Sequence, residues 1–396
     1  MLLKRALVSS LALACFTLVA LKSPQVSAAT DARGVFVRLA GEADATFVPW
    51  TGEAGVQAQI DRLSEAGGGE VIFAAGDYEL ETGFRVTRAR DLRIAGSGAV
   101  TTRLHFAPEP EVRPTLIEDA RIWSKTRRVA DAGSMREGRG YTLYKADLKG
   151  DRILEFVVDR IEGDTLTLRA PIHFMGHVKE IPAGSVVIDE INAFALRSSE
   201  RVTIEGFEID GRDRGDVHGH TTYCGIYAVG VHKPRALPES SGLVVRGCHI
   251  HGLKGRGVCV YSMKDVLVEG NHIHGIDAQA VEIDHFAQGV VRVNTIEDAA
   301  VGVALNDAYS SIVEMNTLRD CALGVGFVKH FDDAEFNVDS SVRANLVVAC
   351  GRGIHVQSGV AGNRIVGNRF AQMEEALWVR QEGGNEAADN GLARGR

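Results

Sequence analysis

Four tripeptides determine the fold expected of this chain: Asn271-His272-Ile273, Asn294-Thr295-Ile296, Asn316-Thr317-Leu318 and Asn368-Arg369-Phe370. Together with Asn345, which begins a related unit, these asparagines recur at intervals of 23, 22, 29 and 23 residues. A period of this length in strand-rich sequence is typical of a solenoid and predicts a parallel β-helix. The asparagines would then stack at one turn, and each side-chain amide would bond to the next coil about 4.8 Å away.

The period and the places where it stops divide the chain into five regions. They are a signal peptide at 1–28, a cap with the first coils at 29–108, an inserted β-rich lobe at 109–192, β-helix repeats at 193–381 and a polar tail at 382–396. In the second region, Val56, Ile60 and Leu63 lie at helical spacing, which predicts an amphipathic helix over 55–66 that covers the open end of the coils. In the lobe, the alternation of Thr165–Leu168 predicts antiparallel strands. The expected fold class is all-β.

The N-terminal segment has the features of an export signal. Lys4 and Arg5 precede an apolar run, and Val26-Ser27-Ala28 offers a small-residue cleavage site. We therefore expect a secreted or periplasmic protein that is cleaved near Ala28 and has no membrane span in its mature form. The formal net charge of −8 argues against a nucleic-acid partner. We also expect a monomer.

The cysteines do not form the pattern of a disulfide framework. Five follow the signal peptide, which is an odd and sparse set for the chain length. Cys321 and Cys350 fall at matching offsets in adjacent units. They could form a bridge between coils, or they could stack as two small apolar side chains.

The first part of the lobe is basic in an otherwise acidic chain. Between residues 121 and 152, nine lysines and arginines face four acidic residues. This composition indicates either a contact with a polyanion or a solvated charged face.

Aligning the second strand of each unit predicts a binding face. Alternation points Val281 and Ile283 inward, so that Glu282 and Asp284 point to solvent. The same alignment predicts a groove floor made of Tyr261, Glu282, Asp284, His285, Asn306, Asp307 and Lys329. Longer loops would wall this groove, and the side chains predicted to bind substrate are Tyr227, His218, His220, His330, His355, Gln357 and Arg380.

This set of residues suits chemistry on an acidic sugar polymer. Proton abstraction beside a uronate carboxylate needs a neutralising charge, a base, and an acid for the leaving oxygen. The hard oxygen donors Glu282, Asp284, Asn306 and Asp307 would lie about 5–7 Å apart and could share Ca²⁺. His285, Lys329 and Tyr261 are the candidates for base and proton donor. The alternative is that these positions are polar only because a β-helix exposes them.

Four histidines form a second pattern. His249 aligns with His272, and His251 aligns with His274. Such a ladder could bind Zn²⁺, but histidines at strand ends also occur in ordinary polar ladders.

Beyond the repeats, Gly67-Gly-Gly-Glu-Val-Ile-Phe73 and Leu92-Arg-Ile-Ala-Gly-Ser-Gly98 resemble the pectate-lyase-like right-handed β-helix superfamily. This resemblance implies a right-handed coil and a polysaccharide groove along stacked strands. Glu282-x-Asp284 with Lys329 resembles the calcium pair and lysine of the chondroitinase-B-like lyases. Glu282-Ile-Asp284-His285 is similar to the Asp-Pro-His triplet of alginate epimerases without its proline. The Asn-Thr-Asp, Gly-His-Gly and Arg-Ile-Lys motifs of the polygalacturonase-like hydrolases are absent from the sequence.

We therefore hypothesise a secreted lyase that acts by β-elimination on an anionic, uronate-containing polysaccharide. A C5-epimerase and a glycoside hydrolase are the alternative enzymes. For the hydrolase, carboxylates two residues apart on a strand lie about 6.6 Å apart, within the inverting range. A non-catalytic carbohydrate-binding protein is the remaining alternative.

Overall fold

The computed structural model describes residues 33–108, 112–121, 124–145, 154–169, 173–174, 180–214, 222–230, 238–329, 338–379 and 382–392. Over these residues the chain winds into stacked parallel coils, which confirms the predicted all-β, right-handed parallel β-helix. The predicted signal peptide, 1–28, lies outside the described residues. Within the described part of the chain, every helix is too short or too polar to cross a membrane.

The N-terminal end is closed by a helix and an antiparallel hairpin. Its elements are β1 (Gly34–Leu39), β2 (Thr46–Pro49), α1 (Glu53–Ala66), β3 (Gly69–Phe73), β4 (Gly76–Leu80), β5 (Phe84–Thr87), β6 (Arg90–Ala95) and β7 (Thr102–Phe106). Helix α1 buries Val56, Ile60 and Leu63, as predicted, and ends at Gly67 in the left-handed conformation. Strand β1 pairs antiparallel with β2 and β3, so the hairpin covers the first strand edge.

The described residues of the predicted lobe form antiparallel strands. Its strands are β8 (Thr115–Leu116), β9 (Ala120–Arg121), β10 (Thr126–Ala130), β11 (Gly140–Tyr144), β12 (Leu154–Glu162), β13 (Thr165–Leu168), β14 (His173–Phe174), β15 (Glu180–Ile181) and β16 (Val186–Asp189), with a 3₁₀ turn at Ala132–Ser134. The lobe has its own hydrophobic cluster, which includes Leu143, Phe156 and Leu166. Tyr144 and Ile188 instead join the main core, so the lobe is anchored to the coils.

The coils resume after the lobe. Their strands are β17 (Asn192–Arg197), β18 (Glu200–Glu205), β19 (Glu208–Arg214), β20 (Cys224–Val229), β21 (Val244–Arg246), β22 (His249–Leu253), β23 (Val258–Tyr261), β24 (Val266–Glu269), β25 (His272–Asp284), β26 (Gly289–Arg292), β27 (Thr295–Asn306), β28 (Ile312–Glu314), β29 (Thr317–Arg319), β30 (Leu323–Val328), β31 (Ser341–Arg343), β32 (Leu346–Val348), β33 (Arg352–Val356), β34 (Arg364–Val366), β35 (Arg369–Ala371), β36 (Glu375–Val379), β37 (Glu386–Ala388) and β38 (Gly391–Leu392), with a short 3₁₀ segment at Glu382–Gly384. One wall of the tube runs β3-β6-β18-β21-β24-β26-β28-β31-β34-β37 in parallel register. Strand β17 pairs with β5 across the lobe in sequence, so the lobe is inserted between neighbouring coils.

The asparagine ladder forms as predicted. The Nδ2 atom of Asn294 donates to Oδ1 of Asn316 at 2.9 Å, and Asn316 donates in the same way to Asn345 at 3.0 Å. The same amide of Asn294 also donates to the carbonyl of Val268. Because the ladder is buried, each amide satisfies backbone groups that would otherwise lose their hydrogen bonds at the turn.

The coils extend beyond the predicted end of the repeats at residue 381, into the described part of the polar tail. Strands β37 and β38 pair in parallel with β34 and β35. Asn385 and Asn390 accept from Asn363 and Asn368, each at 3.0 Å. The stack therefore continues beyond residue 381, because the asparagine period continues there in spite of the polar composition.

The five described cysteines are unbridged and buried. Cys321 and Cys350 are therefore better described as stacked small side chains than as a disulfide bridge between coils.

Candidate active site

The register predicted for the candidate site is present. Asp284 is directly opposite Tyr261 on one side and Asn306 on the other. At the next position, Asp307 follows His285 by one coil, and both have positive φ, 51° and 45°. This left-handed bend ends each strand and brings the two side chains into adjacent rungs of the solenoid.

The expected exposure of these residues is wrong. Glu282, Asp284, Asn306 and Asp307 are only 1–3% exposed, although they point out of the coil. An apolar cluster outside the tube supplies part of the cover; its members are Cys224, Tyr227, Cys259 and Tyr261, with Val229 packed against them. The predicted open groove floor is therefore a buried polar cluster beneath aromatic side chains.

The Glu282 carboxylate is the centre of this cluster. The Arg256 guanidinium forms a buried ion pair with it. Its Oε2 accepts from Cys259 Sγ at 3.4 Å and from the Tyr261 hydroxyl at 3.3 Å. Its Oε1 accepts from Asn306 Nδ2 at 2.7 Å. Burial raises the pKa of Glu282, and the positive charge of Arg256 opposes that rise.

The most exposed described member of the cluster is His285, whose side chain is 27% accessible. Its Nδ1 lies 3.0 Å from Asp284 Oδ1, and its backbone N–H donates to the same oxygen at 2.5 Å. Its ring lies against the Tyr261 ring, with centroids 4.6 Å apart. The Ser262 hydroxyl donates to the His285 carbonyl at 2.7 Å. Asp284 and Tyr261 thus fix the orientation of an imidazole that reaches the surface.

The Tyr261 hydroxyl is held in its neutral form. Burial raises the pKa of Tyr261 well above its usual value, and the nearby Glu282 and Cys259 add to that effect. The phenol is therefore a hydrogen-bond donor at neutral pH and not a base.

The donor set predicted for Ca²⁺ fits the ion poorly at Glu282. The carboxylate of that residue already neutralises Arg256, and a second cation beside a buried guanidinium would be repelled. Among the residues that the structure describes, the buried Oδ1 atom of Asn306 has no hydrogen-bond partner. That single neutral oxygen does not replace Glu282, so calcium at these four residues stays a prediction.

Other predicted residues lie on other coils. The row that contains Glu282 runs Tyr227, Cys259, Glu282, Ala304, Gly326, His355 and Trp378. His355 is three coils from Glu282, roughly 14 Å at one strand spacing per coil. Its ring packs on Trp378, with centroids 4.1 Å apart. Tyr227 is 1% exposed, which leaves its ring no open face for a sugar.

Lys329 and Gln357 lie on later coils than His285. Lys329 follows Val328, the partner of Asn306, and is half-buried. A β-carbon at Gly359 would come within 3.2 Å of Lys329 Cδ, so the lysine stem lies over that glycine. Gln357 is exposed. The predicted substrate-binding residues His218, His220, His330 and Arg380 lie outside the described residues.

Much of the basic charge in the lobe is neutralised within the chain. Arg136 and Arg139 both pair with Glu81, and Arg128 pairs with Asp164. Arg127 is buried and donates to backbone carbonyls. These contacts favour the charged-face interpretation over the polyanion contact.

Sequence reasoning missed Arg256. The signal for it was Gly255-Arg256-Gly257, in which an arginine stands between two glycines inside a repeat. A β-carbon at Gly255 would lie 2.4 Å from the Thr222 carbonyl oxygen, so only glycine lets the backbone approach there. This close approach positions Arg256 beside Glu282.

Comparison with known proteins identifies a family. Residues 192–390 match the family model described as "Right handed beta helix region". No curated protein sequence matches the chain.

Several solved structures share the architecture at low similarity. An alginate lyase from Paenibacillus sp. str. FPU-7 is 9% identical over 86% of this chain and 97% of its own, with a TM-score of 0.42. The A-module of a mannuronan C-5 epimerase from Azotobacter vinelandii is 12% identical over 86% and 90%, with a TM-score of 0.38. A lacto-N-biosidase from Eubacterium ramulus is 11% identical over 87% and 64%, with a TM-score of 0.35. Similarities this low carry no argument about the reaction.

Proposed function

We propose, from the premise that the chain belongs to the family of right-handed β-helix regions, that it is a polysaccharide lyase acting on an anionic, uronate-containing polymer. One observation carries this proposal. It is the His285 imidazole, which is 27% accessible, has its Nδ1 3.0 Å from the Asp284 carboxylate and lies against the Tyr261 ring. An imidazole oriented in this way is the arrangement that general acid–base chemistry needs.

His285 is assigned the proton transfer. In β-elimination a base removes the proton at C5 of the uronate, the C4–oxygen bond breaks, and the leaving oxygen takes a proton from water. With Nδ1 3.0 Å from Asp284 Oδ1, the Nε2 atom of the neutral ring accepts the C5 proton, and the nearby carboxylate stabilises the imidazolium that forms. The electron pair of the broken C–H bond becomes the new C4–C5 double bond.

Two other predicted residues receive supporting roles. Tyr261 stays protonated and donates to Glu282, so it positions the His285 ring. Lys329, one coil beyond Asp307, supplies the positive charge that neutralises the substrate carboxylate.

The buried Glu282–Arg256 ion pair favours a functional site over an ordinary polar surface. Burying a carboxylate and a guanidinium costs several kcal/mol per ion before they pair. Perturbed and buried ionisable groups of this kind cluster at functional sites. The Glu282–Arg256 ion pair therefore fixes the position of Tyr261. Through Tyr261 it also positions His285.

The hydrolase alternative is disfavoured by the same contacts. Glu282 is 1% exposed and is held by Arg256, so it has no room beside a glycosidic oxygen. Epimerisation begins with the same proton abstraction and differs in its second step. It is therefore distinguished by product and not by residue.

The test is a substrate panel of alginate, pectate and glycosaminoglycans. A lyase forms an unsaturated product, so the ultraviolet absorbance of the reaction mixture should rise with time. His285→Gln should lower kcat by about 10²-fold or more, the usual contribution of a general base. His105→Gln is the matched control, because its ring pairs with Asp77 and Asp210 on an earlier coil, and it should retain full activity.

Other products would overturn the assignment. Inverted uronate stereochemistry without unsaturation identifies an epimerase, and new reducing ends without unsaturation identify a hydrolase. Binding of a polymer without turnover, unaffected by His285→Gln, would leave only a carbohydrate-binding protein.

A further inference from the structure

A second cluster of ionisable side chains lies on an earlier part of the same coils. The tetrapeptide His-Ile-His-Gly occurs twice, at 249–252 and 272–275. Strands β22 and β25 pair so that His249 is opposite His272 and His251 is opposite His274. The two isoleucines point into the core, and the four imidazoles form a square on the outside of the tube.

The square is closely packed. The rings of His249 and His272 stack with centroids 4.9 Å apart and planes 3° from parallel, and His251 and His274 stack in the same way at 5.0 Å. Across one diagonal, the Nε2 atoms of His249 and His274 are 2.9 Å apart. All four side chains are half-buried, so solvent reaches the square.

Carboxylates occupy the two sides of the square. His251 Nε2 lies 3.2 Å from Glu208 Oε1, and its Nδ1 lies 3.8 Å from Asp210. On the other side, His272 Nε2 lies 3.2 Å from Glu297 Oε2. His251 thus has two carboxylate neighbours, whereas the described part of the chain gives His272 one, and the His272 side chain is 44% exposed.

We propose that His249, His272 and His274 bind one divalent transition-metal ion of the Zn²⁺ type. One ligand nitrogen from each of these three residues lies within 4.8 Å of the others. Glu297 and the Glu208–His251 pair flank the site and orient its rings. The ion connects two successive coils. This site does not depend on the reaction proposed for His285.

The donor atoms select the class of metal. Imidazole nitrogen suits Zn²⁺, Cu²⁺ and Ni²⁺, whereas Ca²⁺ takes oxygen ligands. Two nitrogens about 2.0–2.1 Å from a tetrahedral ion lie roughly 3.3 Å apart. The 2.9 Å separation of the His249 and His274 nitrogens opens to that value with a small rotation of either ring.

The experiment uses the full chain after treatment with EDTA. Titration with Zn²⁺ followed by calorimetry should show one equivalent bound, and Co²⁺ should give the visible absorption of a tetrahedral site. His249→Ala, His274→Ala and His272→Ala should each weaken Zn²⁺ binding about tenfold or more. His355→Ala is the matched control. It also removes a half-buried histidine, but His355 packs on Trp378 and is not one of the proposed ligands.

A second measurement separates metal binding from folding. Circular dichroism should show the same strand content in all variants, and Zn²⁺ should raise the melting temperature of the wild type and of His355→Ala only. Wild-type protein that binds no Zn²⁺ would overturn the proposal. Equal binding by the wild type and His249→Ala would overturn it as well.

Discussion

At the residue scale, Glu282 and Arg256 depend on each other. The carboxylate and the guanidinium are both almost fully buried, so neither has solvent to replace its partner. Removing one member of such a pair leaves an uncompensated charge, which costs more than the pair itself contributes. Their value lies in holding Tyr261 and Asn306 in one arrangement.

Arg256→Met should therefore lower the free energy of unfolding by about 3–5 kcal/mol at neutral pH. The pKa of Glu282 is already raised by burial, and without Arg256 it rises further. A carboxyl whose pKa is higher in the folded than in the unfolded protein favours folding as the pH falls through that raised value. The deficit should shrink as the pH falls from 7 toward the unfolded-state carboxyl pKa of about 4.3, as measured by urea unfolding at each pH.

The double variant Arg256→Met, Glu282→Gln provides the control. With the charge removed from both positions, it should be more stable at pH 7 than Arg256→Met alone and should lose the pH dependence. A double variant that is no more stable at pH 7 than Arg256→Met would contradict the coupling between the two residues.

The sequence predicted which residues meet at this site but not their environment. Alternation and period place Glu282, Asp284 and Asn306 on one outward face, and the strand register agrees. Their burial depends on Tyr227, Tyr261 and neighbouring side chains that fold over the outside of the tube. That cover has no period, so a repeat alignment cannot reveal it.

At the element scale, the asparagine ladder connects one turn of each coil to the next. Asn316 is the clearest case. Its Oδ1 accepts from both the backbone N–H and the Nδ2 atom of Asn294, at 2.9 Å each. Its own Nδ2 donates to Val291 and Asn345. One side chain thus completes four hydrogen bonds in a buried turn.

Asn316→Ala should cost about 3 kcal/mol or more, because it leaves buried donors and acceptors unpaired at roughly 1–3 kcal/mol each. Asn390→Ala is the matched control, since it removes the half-buried end of the same ladder. Its cost should be smaller because water reaches the groups it leaves. Urea midpoints measure both, and equal losses at the two positions would contradict a ladder whose strength depends on burial.

At the scale of the whole molecule, the two ends of the solenoid are closed differently. Helix α1 and the β1–β2 hairpin cover the first coil, and the Glu53 carboxylate accepts from the backbone of Thr82 and Gly83. The C-terminal end in the described residues is the short coil that contains β37 and β38. The helix was predictable because its apolar spacing is local. The last coil is not evident from composition, because residues 382–396 are polar. Only the period that Asn368 and Asn390 continue indicates it.

The lobe shows the same limit of sequence reasoning. Its presence and strand pattern followed from the interruption of the period. Its anchoring did not, because Tyr144 and Ile188 reach the main core through contacts between distant parts of the chain. Neither residue belongs to a repeat, so no alignment of coils would select it.

A chain that ends at Gln381 should therefore be less stable than one that ends at Leu392. The shorter chain loses Asn385 and Asn390, which accept from the backbone of Asn363 and Asn368 at 3.1 and 3.0 Å. It also exposes the edges of β34 and β35 to solvent and to other chains. We expect a lower melting temperature and more aggregation on heating for the shorter chain. The chain ending at Leu392 keeps Asn385 and Asn390 and should melt like the full-length protein. If the two truncated chains melt together, the last coil does not contribute to the stability of the solenoid.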